Sequence, residues 1–126
     1  MRMSDIATGL QHIGIPTDNL AAMVDFYTRL GFEVAHRAPH NGSEVFFLRL
    51  GDLMIETYET SEPAGRTGAI DHIAVNVTDI EAARRVVEEM GLEIVEEGRL
   101  AFWENGVRYF IVPGPNQERL EFNQYL

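Results

Sequence analysis

The sequence predicts an α+β fold, one domain made of two βαβββ modules, and three observations carry that expectation. The first is an internal repeat: "HIGIPTDNLAAMVDFYTRLGFEV" (12–34) aligns with "HIAVNVTDIEAARRVVEEMGLEI" (72–94) at an offset of 60 without a gap. His12/His72, Ile13/Ile73, Ala22/Ala82, Gly31/Gly91 and Glu33/Glu93 are identical pairs. The second is a change of period inside each repeat, from strand-like alternation to helical spacing. The third is the trio of alternating runs that follows each helix, separated by turn-forming residues. Module one spans 9–60, a Pro-, Gly- and Ser-containing linker "SEPAGRTG" spans 61–68, and module two spans 69–126 of a single domain covering 1–126.

Each element has a local cause. "LQHIGIPT" and "IDHIAVNV" alternate as half-buried strands do. In the first helix Leu20, Met23, Val24, Tyr27 and Leu30 recur at helical spacing; in the second Ile80, Ala83, Val87 and Met90 do so. Thr78 and Glu81 form an S/T-x-x-E pattern that predicts the start of the second helix. Gly31 and Gly91 stand just past each helix, where a left-handed cap residue is favoured. The strand runs are then "GFEVAHR", "SEVFFLRLG" and "LMIETYE" in module one, and "LEIVEEG", "GVRYFIV" and "ERLEFNQ" in module two. "PHNG", "ENG" and "PGPN" supply turns.

Composition narrows the function. The chain has 126 residues, enough to bury a core, and its 45% hydrophobic and 24% charged content is that of a globular protein. No apolar run approaches the roughly 18 residues needed to cross a bilayer, and the N-terminal residues lack the apolar stretch of a secretory signal. A cytoplasmic location is the expectation. With no cysteine, thiolate metal sites, disulfides and cysteine nucleophiles are excluded. A formal charge of −10 argues against nucleic acid or an anionic membrane as partner, since both demand a basic surface. A small-molecule substrate is expected instead.

Two histidines at matched places in a repeat need a cause. Each module offers one histidine on its first strand, His12 or His72, and one glutamate on its last, Glu56 or Glu121. By the period of two, Glu56 shares a face with Met54 and Tyr58. Taken singly, each of the four reads as an ordinary strand residue. At equivalent positions of two modules related by a pseudo-twofold, they read as a metal site. Imidazole and carboxylate suit one divalent ion, nickel, zinc, cobalt, manganese or ferrous iron, and two carboxylates cancel its charge. On an octahedral ion, four protein ligands leave two positions for water or substrate.

Along Leu10 to Gln124 the chain resembles the vicinal oxygen chelate superfamily, through "HIGI…FYTRLGF", "GDLMIETYE", "DHIAVNVTDIEAA" and "IVPGPNQERLEF". The resemblance implies that the modules curl into an open mixed sheet around a metal, with the helices outside, and that His12, Glu56, His72 and Glu121 are its ligands. The His-Glu-His-Glu set is similar to that of glyoxalase I, with close variants in methylmalonyl-CoA epimerase. It implies an isomerase, epimerase or lyase that removes the proton next to a metal-chelated carbonyl through an enediolate or enolate, with Glu121 as ligand and base. The alternatives within the superfamily are a small-molecule-binding, antibiotic-resistance-like protein and an extradiol dioxygenase. Pro16 and Thr60 stand where glyoxalase I tends to carry the arginine and asparagine that hold glutathione, which counts against a glutathione adduct. Glu44 lies near the place of a glutamate base in some epimerases, where a shift of one residue changes the face. Trp103, Arg108 and Tyr58 are candidates for contacting substrate, with Arg49 a further third-strand arginine. Modules of this kind pair within a chain or between two chains, and a homodimer is expected because exposed sheet edges are usually covered.

Overall fold

The computed structural model describes residues 2–126. A short 3-10 turn, Met3–Asp5, precedes β1 (Ile13–Gly14), α1 (Leu20–Arg29), β2 (Glu33–His40), β3 (Ser43–Leu50) and β4 (Leu53–Tyr58). Module two repeats the series as β5 (His72–Asn76), α2 (Ile80–Glu89), β6 (Glu96–Leu100), β7 (Val107–Pro113) and β8 (Arg119–Tyr125). Each module forms a four-stranded mixed sheet, in the orders β1-β4-β3-β2 and β5-β8-β7-β6. The first pair in each is parallel and the others are antiparallel. This is the α+β architecture of paired βαβββ modules that the repeat predicts.

Three local expectations shift. The first strand, expected over 10–17, is reduced to Ile13–Gly14, with His12 just before it. The second helix is capped not by Thr78 but by Asp79, whose Oδ1 accepts from the backbone N–H of Glu81 and Ala82 at 3.1 Å each. Asn19, 60 residues earlier, caps α1 in the same way by accepting from Ala22 N–H at 3.0 Å. An Asx side chain therefore satisfies the orphan amides at both helix starts. In module two the strand expected from Leu92 begins only at Glu96. Leu92 and Ile94 pack half-buried against the core, so their alternation reflects burial, not ladder pairing. Gly31 and Gly91 adopt positive φ values of 107° and 74°, as helix-terminating glycines do.

The core lies on the helix side of both sheets. α1 packs on β3 and β4, and α2 on β7 and β8. Met23, Tyr27, Leu48 and Ile55 of module one belong to the same buried cluster as Val87, Phe110, Val112 and Leu120 of module two. At the junction the Tyr27 hydroxyl donates to Glu118 Oε2 at 2.8 Å, and Asn116 Nδ2 approaches Met23 Sδ at 3.1 Å. Burial pushes the Tyr27 phenol well above its ordinary pKa, and the Glu118 carboxylate adds to that shift. At Gly114 an added Cβ would meet only the Glu118 carboxylate folded over the β7–β8 turn and would push that flexible group aside. Between β1 and the start of β5 the linker borders a cavity of about 350 Å³.

Candidate metal centre

Strand alternation gives each sheet a core face and an opposite face. On β4 Ile55 and Thr57 are fully buried toward the helix, so Met54, Glu56 and Tyr58 point the other way. On β8 Leu120 and Phe122 join the core, so Arg119, Glu121 and Asn123 point the other way. The ladder sets Phe47 opposite Glu56 and Ile111 opposite Glu121. Because both core faces meet in one cluster, the two carboxylate faces turn away from the shared core.

Each glutamate meets the histidine of its own module. His12 Nε2 lies 3.9 Å from Glu56 Oε2, and His72 Nε2 lies 3.8 Å from Glu121 Oε1. These separations exceed a hydrogen bond, yet both atoms of a pair can reach a cation at roughly 2.1 Å each. The other ring nitrogen is engaged in both cases. His12 Nδ1 is 2.9 Å from Gln11 Oε1, and His72 Nδ1 is 2.9 Å from Asp71 Oδ2. An oxygen acceptor at Nδ1 holds the proton there and leaves the Nε2 lone pair toward the glutamate, the tautomer a metal ligand requires. The donor chemistry therefore fits half of a divalent-metal site in each module. Among the described residues the two pairs remain separate, and no group of three or more histidine and carboxylate side chains is assembled.

The surroundings differ between the pairs. Glu121 is buried at 9% exposure and accepts from Asn123 Nδ2 at 3.1 Å. His72 is backed by a polar network. Its hydrogen bond to Asp71, with Arg119 nearby, holds the Asp71 carboxyl below the usual carboxylate range. Arg119 Nε lies 3.7 Å from Asp71 Oδ2, while its Nη2 donates to Glu96 Oε1 at 2.9 Å. The Tyr109 hydroxyl donates to Glu96 Oε2 at 2.9 Å. His12 is instead edge-on to Phe47, with ring centroids 5.8 Å apart.

The remaining candidates divide. Tyr58 lies on the Glu56 face, beside His40 at 6.1 Å between ring centroids. Trp103 is 75% exposed in the β6–β7 loop and meets Tyr125, which shares the face of Glu121, with ring centroids 5.7 Å apart. Glu44 does not join the glutamates. Its parity is that of Phe46 and Leu48, and it pairs with Arg37 at 2.6 Å on the opposite face of the sheet. Arg108 is also displaced, because it shares the core-side parity of Phe110 and is engaged by Glu81 of α2. Gln11 and Asp71 are the residues that sequence reasoning missed. Their signal was present: each immediately precedes a repeat histidine and carries a side-chain acceptor.

A profile described as the glyoxalase, bleomycin resistance protein and dioxygenase superfamily matches residues 9–122. The chain belongs to this superfamily. Among curated proteins, the uncharacterized protein YwbC of Bacillus subtilis is 31% identical over 128 residues, covering 94% of this chain and 99% of that protein. A glyoxalase family protein from Enterococcus faecalis superposes with a TM-score of 0.77 at 24% identity, covering 91% of this chain and 96% of the other. FosX of Listeria monocytogenes, a fosfomycin resistance protein whose mutant was crystallised with Mn(II) and 1S,2S-dihydroxypropylphosphonic acid, superposes with a TM-score of 0.74 at 20% identity. That match covers 93% of this chain and 90% of the FosX chain. These likenesses establish the vicinal oxygen chelate fold. Among the described residues no helix is long and apolar enough to cross a membrane.

Proposed function

We propose that the protein is a metal-dependent enolising enzyme, an isomerase, epimerase or lyase acting on a small molecule that carries two vicinal oxygens. The observation that carries this reading is the matched pair of imidazole–glutamate contacts, each with Nδ1 held by a neighbouring acceptor. A divalent ion held by His12, Glu56, His72 and Glu121 would supply Lewis acidity to a carbonyl. Gln11 and Asp71 keep both histidines in the ligating tautomer. Glu121, buried and oriented by Asn123, is the group that takes and returns the proton on the carbon beside that carbonyl.

The two ligand pairs point away from the core they share, which favours a site assembled between two copies of the chain. In a homodimer of this kind, His12 and Glu56 of one copy would meet His72 and Glu121 of the other.

The test is α-proton exchange, read by NMR in deuterated water, with Mn(II)- or Ni(II)-loaded protein and a panel of hydroxy-ketones and thioesters. Exchange that disappears in Glu121→Gln supports the reading. Oxygen uptake with catechols by ferrous protein would assign a dioxygenase instead. Tight ligand binding with no turnover and no metal requirement would assign a binding protein.

A further inference from the structure

The face of module one that carries His12 and Glu56 also carries a cleft of about 340 Å³, lined by Gln11, His12, Ala35, His36, Phe47, Arg49 and Met54. Its composition is unlike the rest of the molecule. The chain has twice as many acidic as basic residues, 20 against 10, yet no carboxylate lines this cleft, while two imidazoles and a guanidinium do. Phe47 and Met54 give it an apolar floor. The His36 ring lies 6.0 Å from the Phe47 ring, on the side away from α1.

Arg49 is the residue that needs a reason. Six other arginines are committed to carboxylates: Arg2, Arg29, Arg37, Arg84, Arg108 and Arg119 all form ion pairs. Among the described residues Arg49 forms none, although Glu33 faces it across the β2–β3 ladder. Of the arginines left without an ion pair, it is the one that lines the cleft with His12. The register places it on the same transverse row. β1 and β4 pair in parallel with Ile13 beside Ile55, so His12 falls beside Met54, and Met54 is opposite Arg49 on β3. Two strand spacings put the Arg49 backbone roughly 10 Å from that of His12. A long side chain spans much of that gap, and a planar guanidinium matches a carboxylate in two parallel hydrogen bonds.

We infer that Arg49 and this cleft form an anion subsite, and that the substrate carries a carboxylate a few carbons from its two metal-chelating oxygens. This rests on the metal reading given above and specifies its substrate class. The Arg49 guanidinium gives a small anion a local point of attraction on a protein whose net charge would otherwise repel it.

The experiment uses full-length, Mn(II)-loaded protein, with loading verified by electron paramagnetic resonance. It titrates two matched probes, the monohydroxamate of succinic acid and the methyl ester of that compound. Both chelate through the hydroxamate oxygens, and only the first carries a free carboxylate. The expected result is about tenfold tighter binding of the carboxylate probe by the wild type, as for a charge-assisted hydrogen bond at a partly exposed site. In Arg49→Gln that preference disappears while the ester binds as before, and Arg49→Lys retains part of it. Arg49 is exposed and free of ion pairs, so both variants should fold, and unchanged melting temperatures verify this. Equal binding of the two probes by the wild type, or a preference that survives in Arg49→Gln, overturns the anion subsite alone. Failure of both probes to bind Mn(II)-loaded protein overturns the chelating site and the subsite together.

Discussion

Replacing Asp71 with alanine should weaken divalent-metal binding about tenfold while leaving the fold intact. Asp71 Oδ2 accepts from His72 Nδ1 at 2.9 Å, so its loss frees the imidazole to rotate and to place its proton on Nε2, the atom facing Glu121. Removing such an outer partner typically costs 10- to 100-fold in metal affinity. The lower end applies because the Asp71 side chain is 65% exposed, where water replaces much of the lost acceptor. Asp71→Asn should recover most of the affinity, since its amide oxygen can still accept from Nδ1. The assay is competition of purified protein for Mn(II) against a chromophoric chelator, with melting temperatures taken on metal-free samples. The reasoning is refuted if alanine leaves the dissociation constant within about twofold of wild type, or if asparagine is as damaging as alanine.

Further outcomes follow from the structure. Tyr27→Phe should cost about 1–2 kcal/mol in urea unfolding near neutral pH, the loss of a buried donor to Glu118. The Tyr27 phenol titrates higher in the folded chain than in the unfolded one, so its contribution is complete below about pH 10 and is lost as pH rises through the raised folded value. Wild type should therefore lose stability above about pH 10 more steeply than Tyr27→Phe. Gly114→Ala should mimic the loss of that junction by displacing the Glu118 carboxylate, and combining it with Tyr27→Phe should be less than additive in unfolding free energy. Stripping metal with a chelator should lower thermal stability, and restoring the ion at about 100 times its dissociation constant should return roughly 2.7 kcal/mol. Glu44→Gln should leave α-proton exchange unchanged, because its carboxylate lies on the core-side face with Arg37.

The fold was legible because the repeat imposed one solution on two sequences. An error in reading either half would have broken the match between His12 and His72 or between Gly31 and Gly91. Boundaries were legible where pairing and burial coincide, as in β3, β4, β7 and β8. They were not at β6, where Leu92 and Ile94 alternate like strand residues yet serve the core before the ladder begins at Glu96. The capping error has a similar origin. Thr78 and Asp79 are adjacent potential caps, and the hydrogen bond from Ile80 N–H to Gln124 Oε1, formed only in the fold, accompanies the start at Asp79. At the site, parity decided what residue type could not. Glu44 and Arg108 have suitable chemistry, but each is one residue out of phase with the glutamate face. Arg49 has the right phase, and its freedom from ion pairs depends on contacts that no spacing encodes. Gln11 and Asp71 could have been found by extending the repeat alignment one residue toward the N-terminus.

The central claim is that one divalent ion is held between two copies of the chain, by the His12–Glu56 pair of one and the His72–Glu121 pair of the other. Mixing two inactive chains tests it most directly. A His12→Ala chain damages the module-one half and a Glu121→Gln chain the module-two half. Differently tagged, they can be co-refolded and the heterodimer isolated for metal analysis by native mass spectrometry. With sites shared between copies, the heterodimer combines both intact halves in one site and both damaged halves in the other. It should bind about one Mn(II) tightly, while each parent homodimer binds none tightly. A verified heterodimer that binds no more metal than its parents would contradict the account.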